Sequence, residues 1–363
     1  MAISPCSGCF STAFTSLKTA ARIGVAVGGL VILGKVLYEI YKRAVADRPF
    51  PHVPFSLSLQ ARQYLQTATP VGGPVTNPLD WINIRAGFRG ATIEASNRAK
   101  ADYIAEFYER MINGVLVLVA TPKDYEENSR ALIYIHGGAW TLGDPNHLYQ
   151  IFAPIAHATS LKTYAINYPL APEAPFPAGL NACLDVYKKL LETHKPEDIF
   201  FLGDSAGANL CIATILKARE LGIAMPAAVG VNSPVVDLEK NSDTHFTLAG
   251  RDPKLLYEKS LLPSIEAYAG DTNLQDPLLS VIHADFTKGF PPITIHVGSR
   301  EILLGDAARL NEALHNAGQS SSLHVFDGLW HGVQEHGFDQ ESDRSVILMT
   351  KFFQSHFREE QSV

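Results

Sequence analysis

Short, mainly apolar runs alternate with amphipathic segments from residue 131 to residue 357. The apolar runs have the length of buried strands and occupy residues 131–135 (ALIYI), 162–167, 198–202 (DIFFL), 228–232, 293–297 (ITIHV) and 322–326. Segments with helical periodicity follow them, at residues 147–159, 179–194, 206–221, 307–317 and 342–357. Strands buried on both faces form such runs, and their alternation with helices is typical of βαβ units. The pattern therefore predicts an α/β protein whose mostly parallel sheet carries helices on both faces.

The residues before 131 follow a different pattern. Residues 105–111 and 115–121 are strand-like and flank Asn113-Gly114, a pair that favours a tight turn, so we expect a β-hairpin. Residues 81–102 are partly helical, and residues 47–80 contain clustered prolines and glycines that are typical of a linker. Between 234 and 292 the alternation stops, and we interpret that segment as a helical, polar insertion over the sheet.

The stretch GDSAG, residues 203–207, joins the strand 198–202 to the helix 206–221. A sharp strand-to-helix turn with glycines at both ends would expose the hydroxyl of Ser205 at the carboxyl edge of the sheet. The N-terminus of the following helix would favour negative charge that develops there. Ser205 is therefore a candidate nucleophile, and an ordinary tight turn is the alternative interpretation.

A second motif, HGGAW at residues 136–140, follows the strand 131–135. The consecutive small residues Gly137, Gly138 and Ala139 would let backbone N–H groups approach a bound oxygen, as an oxyanion hole requires. A flexible glycine turn is the alternative. A flexible turn gains little from a bulky aromatic side chain such as that of Trp140. We therefore expect Trp140 to line a pocket or to pack under the loop.

A candidate base lies at the same edge of the sheet. His331 follows the last strand and the loop 327–330, and a neutral imidazole there can take the proton of Ser205 and return it to a leaving alcohol. His336 is the weaker competitor. For the acid, Glu301 comes directly after the strand 293–297, whereas Asp306 begins the next helix and suits a helix N-terminal role. We therefore prefer Glu301.

Three motifs together resemble the hormone-sensitive-lipase-like serine esterases of the α/β-hydrolase fold: HGGAW, GDSAG and residues 168–177 (YPLAPEAPFP). The resemblance covers residues 105–357. It implies that Ser205 is the nucleophile and His331 the base, and that the oxyanion donors come from the Gly137–Gly138–Ala139 loop and from Ala206. The family usually has Gly at position 139 and Asp-Pro where this chain has Glu301-Ile302.

The resemblance also implies a domain organisation. Residues 105–235 and 289–357 form the hydrolase core, and residues 236–288 form a cap insertion. Residues 51–104 act as a linker and contribute to the cap, and residues 1–50 contain a separate apolar helix. Within the family, the segment 298–307 is similar to a branch that includes small esterases, lactone hydrolases and tailoring hydrolases of secondary metabolism.

These features predict an enzyme that cleaves a carboxylic ester of a small or medium-sized substrate through an acyl-enzyme. A lactone, thioester or amide hydrolase could use the same triad. A non-catalytic small-ligand receptor on the same fold is the alternative from another class, but such a protein would be expected to lack a member of the triad. The oligomeric state stays open.

The composition removes other classes of function. The net charge of −7 is spread out, and no basic run suits nucleic acid. Cys183 and Cys211 lie in apolar helical patterns and are expected in the core. Cys6 and Cys9 have redox or metal spacing, but no second pair or nearby histidine supports it. We therefore expect no metal and no cofactor.

Residues 23–34 (IGVAVGGLVILG) form an uncharged apolar run. The run is shorter than the roughly 20 residues that a helix needs to span a bilayer. Extension to Tyr41 includes Lys35 and Glu39. A membrane anchor or surface helix in residues 23–41 and a helix that packs on the body both stay open. Cleavage after Ala46 is disfavoured by the charges that precede it. We expect an intracellular protein, either cytoplasmic or associated with a membrane through this segment.

Overall fold

The computed structural model describes residues 53–54, 56–67, 75–332 and 340–358. All of them belong to the unit His52–Val363. Residues 1–50, which include the apolar run 23–41 and the pair Cys6 and Cys9, lie outside the described residues, as does His336. Within the described ranges, each helix is too short or too polar to cross a lipid bilayer.

The longest described helix, α2 (Pro78–Tyr103), begins at a capping box. The side chain of Asn77 accepts a hydrogen bond from the N–H of Leu79 (2.9 Å), and Asp80 Oδ2 accepts one from the N–H of Asn77 (2.9 Å). Proline at the first helical position needs no donor there. These three features explain why the helix begins earlier than the apolar pattern at residue 81 indicates.

In the described part of the chain the other helices are α1 (Leu59–Thr67), α3 (Tyr149–Thr159), α4 (Ala178–Leu190), α5 (Ala206–Glu220), α6 (Thr244–Thr247), α7 (Leu262–Ala269), α8 (Leu304–Asn316) and α9 (Gln340–Gln354). Helices α3, α4, α5, α8 and α9 agree with the sequence pattern to within a few residues at each end, whereas α1 lies in the segment 47–80 that was expected to be a linker, and α6 and α7 lie in the predicted insertion 234–292.

An eight-stranded sheet runs through the unit in the order β1-β2-β4-β3-β5-β6-β7-β8. The strands are β1 (Ile104–Ile112), β2 (Val115–Pro122), β3 (Ala131–Ile135), β4 (Lys162–Asn167), β5 (Ile199–Asp204), β6 (Ala228–Asn232), β7 (Ile293–Gly298) and β8 (Ser321–Phe326). Strands β1 and β2 pair antiparallel around Asn113 and Gly114, which confirms the hairpin, and β2 also pairs antiparallel with β4. The remaining pairs are parallel, as predicted.

The sheet has a hydrophobic cluster on each face. In β3 every residue is buried; Leu132 and Tyr134 join the cluster that contains α3 and α9. Ile133 and Ile135 join the larger cluster, which contains α4, α5 and α8. Since successive side chains of a strand point to opposite faces, these memberships show helices on both sides of the sheet. Cys183 and Cys211 lie buried in the larger cluster, as expected.

The segment between β6 and β7 differs from its prediction. It contains only short helical pieces, among them α6, α7 and the π-helical turn Tyr257–Leu261. It is also less polar than expected, because a set of its apolar side chains is buried in the larger cluster: Val236, Leu238, Tyr257, Leu261, Ile265, Tyr268, Leu279 and Val281. This segment is therefore part of the packed structure, and its assignment as a cap remains a prediction.

Candidate active site

Ser205 lies in the turn between β5 and α5, with backbone angles φ 54° and ψ −118°. A positive φ is unfavourable for a residue with a side chain, by about 1–3 kcal/mol. Two backbone hydrogen bonds hold the conformation. The N–H of Ser205 donates to the carbonyl of Asn232 (2.8 Å), and the carbonyl of Ser205 accepts from the N–H of Asn209 (3.2 Å). The turn is therefore a strained, fixed element and not a flexible loop.

The glycines on either side of Ser205 are required by close packing. A Cβ atom at Gly207 would lie 2.1 Å from the carbonyl oxygen of Ile135, and one at Gly203 would lie 2.6 Å from the carbonyl oxygen of Gly207. The turn therefore presses against the end of β3. This contact brings the GDSAG and HGGAW motifs together.

His331 joins the serine to a carboxylate. Its Nε2 lies 3.0 Å from the Oγ of Ser205, and its Nδ1 lies 3.0 Å from Oε2 of Glu301. Glu301 is fully buried, and Ser205 and His331 are each 7% exposed. The structure thus brings together the three residues that the sequence analysis singled out. In the tautomer with the proton on Nδ1, the imidazole can donate to Glu301 and accept the hydroxyl proton of Ser205.

The sequence analysis missed a residue that orients the carboxylate. Ser233 Oγ donates to Oε1 of Glu301 (2.8 Å), as does the N–H of Gly298 (2.6 Å). The same Ser233 Oγ accepts from the N–H of Gly332 (3.3 Å), next to His331. Ser233 directly follows β6, so its position at the carboxyl edge of the sheet was the available signal.

Asp306 lies in the first turn of α8, as expected, but its carboxylate binds groups outside the helix. The carboxylate accepts hydrogen bonds from the hydroxyl of Ser242 and from the N–H of Val236 (3.1 Å), and its Oδ1 lies 3.1 Å from Nε2 of His245. The side chain is fully buried. Asp306 therefore fastens the segment after β6 to α8 and is not brought to His331.

The HGGAW loop curls through left-handed conformations at Gly138 (φ 110°), Ala139 (φ 50°) and Trp140 (φ 59°). Gly137 lies against the carboxylate of Asp204, since a Cβ atom at Gly137 would be 2.2 Å from Oδ2, and the same carboxylate accepts a hydrogen bond from the hydroxyl of Tyr134 (2.8 Å). The expected role of Gly137 as an oxyanion donor stays a prediction.

Burial raises the pKa of Asp204 to about 6, against the lowering effect of its hydrogen bonds with Tyr134 and Gly137. The carboxylate sits between the serine turn and the HGGAW loop and ties the two together. The sequence analysis included Asp204 only as part of the GDSAG motif, because nothing in the local sequence pattern indicated that its carboxylate would be buried between the two motifs.

Trp140 packs under the loop, which is one of the two positions expected for it. The indole is fully buried and stacks on Tyr268, with ring centroids 4.8 Å apart and planes 2° from parallel. The tryptophan therefore fixes the loop to the segment between β6 and β7.

A small cavity opens at Ser205 and His331. Its volume is about 70 Å³. One wall comes from α2 and the residues before it and is apolar: Val75, Trp81, Ile84 and Phe88. Another part of the lining comes from residues 254–264 and includes Lys254, whose pKa is lowered to about 8, chiefly by burial. The cavity can hold a small, mainly apolar group next to the serine hydroxyl.

One group of side chains in the described residues has the spacing of a metal site: Asp237, Glu239 and His283. These side chains already have partners. Asp237 forms an ion pair with Arg309 (2.6 Å), and Nε2 of His283 lies 3.3 Å from a carboxylate oxygen of Glu239. Such mutual pairing accounts for the cluster without an ion, so we assign no metal to it.

Comparison with known proteins adds to this geometry. Residues 132–335 match the family described as the alpha/beta hydrolase fold. An esterase from Acinetobacter venetianus is 34% identical over 57% of this chain and 68% of its own length. An acetyl-hydrolase from Streptomyces hygroscopicus is also 34% identical, over 56% of this chain and 68% of its own length.

Among solved structures, the chain is similar to the hormone-sensitive-lipase homologue EstE7 from a metagenome library. The TM-score is 0.68 at 29% identity, and the match covers 78% of this chain and 99% of the other. The similarity therefore extends over nearly the whole of that protein.

Proposed function

The chain belongs to the α/β-hydrolase family, in its hormone-sensitive-lipase-like group, and from this premise we propose that it is a serine hydrolase of carboxylic esters. In this proposal Ser205 is the nucleophile, His331 the general base and Glu301 the acid that orients the imidazole. The observation that carries the proposal is the continuous series of contacts from Glu301 through His331 to Ser205, with both distances at 3.0 Å.

The first chemical step is attack on the ester carbonyl. His331 Nε2 takes the proton of Ser205 as the oxygen forms a bond to the carbonyl carbon, and the carbonyl oxygen becomes an oxyanion. We propose that the N–H groups of Gly138, Ala139 and Ala206 donate hydrogen bonds to this oxyanion. Ala206 is the first residue of α5, where the helix dipole also favours an anion.

The second step regenerates the enzyme. The imidazolium of His331 gives its proton to the leaving alcohol, and an acyl-enzyme remains on Ser205. Water, deprotonated by the same imidazole, then attacks the acyl carbon; the bond from this carbon to Ser205 Oγ breaks, the imidazolium returns its proton to Oγ, and the carboxylic acid leaves. The buried carboxylate of Glu301 stabilises the imidazolium in both half-reactions because an opposite charge held nearby favours the charged form.

The size of the cavity suggests the acyl group. A cavity of about 70 Å³ is small beside the roughly 300–1,000 Å³ of typical ligand pockets. We therefore propose that short acyl esters, roughly C2 to C6, are better substrates than long ones, because burial of a long chain would require the walls to move. The name of the acetyl-hydrolase relative agrees with a short acyl group.

The test combines covalent labelling with turnover. A fluorophosphonate should label the wild-type protein, and peptide mapping should place the label on Ser205. A series of p-nitrophenyl esters from acetate to palmitate should show the highest kcat/KM among the short chains. Ser205→Ala should lose both labelling and turnover, by at least about 10³-fold.

The matched control is Ser345→Ala, which removes another fully buried serine hydroxyl, that of a residue in α9 that hydrogen-bonds to His296 in β7. This variant should retain labelling and turnover. Esterase activity that survives in Ser205→Ala would refute the proposed mechanism. A wild-type protein that binds an ester but is never labelled by the fluorophosphonate would favour the receptor alternative.

A further inference from the structure

Asp252, in the segment between β6 and β7, holds the backbone of His331. Its Oδ2 accepts a hydrogen bond from the N–H of His331 at 3.0 Å. Its Oδ1 accepts from the N–H groups of Lys254 (2.8 Å) and Leu255 (3.1 Å). The side chain is 1% exposed. One buried carboxylate therefore connects the turn 252–255 to the histidine.

The loop 327–332 that carries His331 also contacts α1, where Trp330 stacks on Tyr64 with ring centroids 4.7 Å apart, and it contacts the loops at the ends of β6 and β7. The N–H of Arg300 donates to the carbonyl of Leu329 (2.9 Å), and the N–H of Gly328 donates to Ser299 Oγ (2.7 Å). The N–H of Gly332 reaches Ser233 at 3.3 Å. Within the described residues, the bond to Asp252 fixes the N–H of His331 itself. Its loss would free the backbone at the residue whose imidazole must meet both Ser205 and Glu301.

The turn 252–255 also forms part of the substrate cavity. Lys254 and Leu255 line the cavity together with Ser205 and His331, whereas Asp252 lies behind the wall. Burial raises the pKa of Asp252 to about 6, and nearby His331 opposes this rise. Most of the carboxylate is therefore ionised at neutral pH, and a charged acceptor makes a stronger hydrogen bond than a neutral one.

We propose that Asp252 is a positioning residue for the hydrolysis: it ties the cavity wall at 252–255 to the backbone of His331 and so keeps the imidazole in line with Ser205. The inference rests on the proposed function, because it assumes that His331 is the base. Asp252 acts through the histidine and does not touch the substrate.

The test is Asp252→Asn, which keeps the volume of the side chain. Asparagine offers one acceptor oxygen, so its NH₂ group must face either the N–H of His331 or the N–H groups of Lys254 and Leu255. Loss of a hydrogen bond to a charged group should lower kcat for p-nitrophenyl acetate by about tenfold to a hundredfold. KM should stay within about twofold, and the rate of fluorophosphonate labelling should fall in parallel with kcat.

The matched control is Asp237→Asn, which neutralises another buried carboxylate of the same segment, one paired with Arg309 and not in contact with the proposed triad. Both variants should have a lower Tm. When kcat is expressed per labelled site at a temperature well below each Tm, only Asp252→Asn should show the loss.

An Asp252→Asn enzyme with wild-type kcat and only a lower Tm would overturn the inference, as would an equal loss of kcat in Asp237→Asn. If Ser205→Ala is inactive while Asp252→Asn is fully active, the proposed function stands and this inference alone fails. If Ser205→Ala is active, the proposed function itself fails.

Discussion

The carboxylate of Glu301 is stable in the protein interior because donors surround it. Gly298 and Ser233 donate to one oxygen, and Nδ1 of His331 faces the other. A buried charge is otherwise expensive, and hydrogen bonds to the charged form offset the loss of water. The same donors leave the carboxylate one orientation, which fixes the imidazole in turn.

Glu301→Gln should therefore nearly abolish turnover while the fold persists. The amide would present to Nδ1 of His331 either its NH₂ group, which cannot accept a hydrogen bond, or an oxygen without negative charge. The equivalent change in the best-studied serine protease triad lowers kcat by about 10⁴-fold. The measurement is kcat for a short p-nitrophenyl ester together with Tm. A variant with wild-type kcat would show that another residue orients His331.

Asp306→Asn is the opposing case, because Asp306 is equally buried but contacts Ser242, His245 and the backbone at Val236. We expect a loss of stability of about 2–3 kcal/mol, since hydrogen bonds to a buried charge are removed, and a kcat within about threefold of wild type. Chemical denaturation and steady-state kinetics measure the two quantities. A large loss of kcat with unchanged stability would mean that Asp306 takes part in the chemistry.

Ser233→Ala should have an intermediate effect. It removes one of the two donors to Oε1 of Glu301 and leaves the N–H of Gly332 without that acceptor. We expect kcat to fall by about tenfold, which corresponds to one hydrogen bond of moderate strength. Ser242→Ala, which removes a buried hydroxyl donor to Asp306, is the control and should lower Tm without that fall in kcat. Equal kcat values in the two variants would exclude the role for Ser233.

At the scale of the elements, the sequence predicted what depends on neighbours along the chain. The hairpin around Asn113-Gly114, the apolar strands and the sharp turn at Ser205 each have a local signal, and the structure contains all of them. The order of the parallel strands then places the ends of β5, β7 and β8 at one edge. This is why Ser205, Glu301 and His331 could be identified before their distances were known.

The sequence could not predict contacts between distant loops. Asp252 reaches His331 across 79 positions, and Asp306 reaches Ser242 across 64. A carboxylate in an irregular segment has the same local pattern whether it is exposed or buried, so neither contact left a periodic signal. The same reason explains the mistaken polar character of the segment between β6 and β7, whose buried residues are spaced irregularly.

Helix α2 contributes apolar side chains to the lining of the cavity, so under the proposed function we expect it to limit the length of the acyl group. Trp81 is 5% exposed and lines the cavity, as do Lys254 and Leu255. Trp81→Ala should enlarge the cavity and move the best p-nitrophenyl ester toward longer chains by several carbons, at a loss of stability of about 3 kcal/mol. The chain-length profile of kcat/KM measures the shift. Leu221→Ala, an exposed apolar residue, is the control and should leave the profile unchanged.

For the molecule as a whole, the two buried faces of the sheet contain histidines that must be neutral. His136, the first residue of the HGGAW motif, has its pKa lowered to about 4 by burial. His296 in β7 is fully buried, hydrogen-bonds through Nδ1 to Ser345, and has its pKa lowered to about 3, by burial and by nearby His324. Both groups oppose folding at acid pH, whereas the buried carboxylates of Asp204 and Asp252, with pKa values raised to about 6, have the opposite effect between about pH 4 and 6.

The contribution of His296 to the free energy of unfolding can be measured separately, because the direction in which it changes with pH is known. Between about pH 3 and 6.5 the unfolded chain binds a proton at this residue and the folded protein does not, so its contribution to stability increases with pH. Comparison with His296→Phe removes the other titrating groups from the result, since both proteins carry them. The free energy of unfolding of the wild type, relative to the variant, should rise by about 1.4 kcal/mol per pH unit from pH 4 to 6 and become constant above about pH 7.5. Urea denaturation at several pH values measures this difference, and a difference that does not change with pH would show that the imidazole is charged in the folded protein or remains in water.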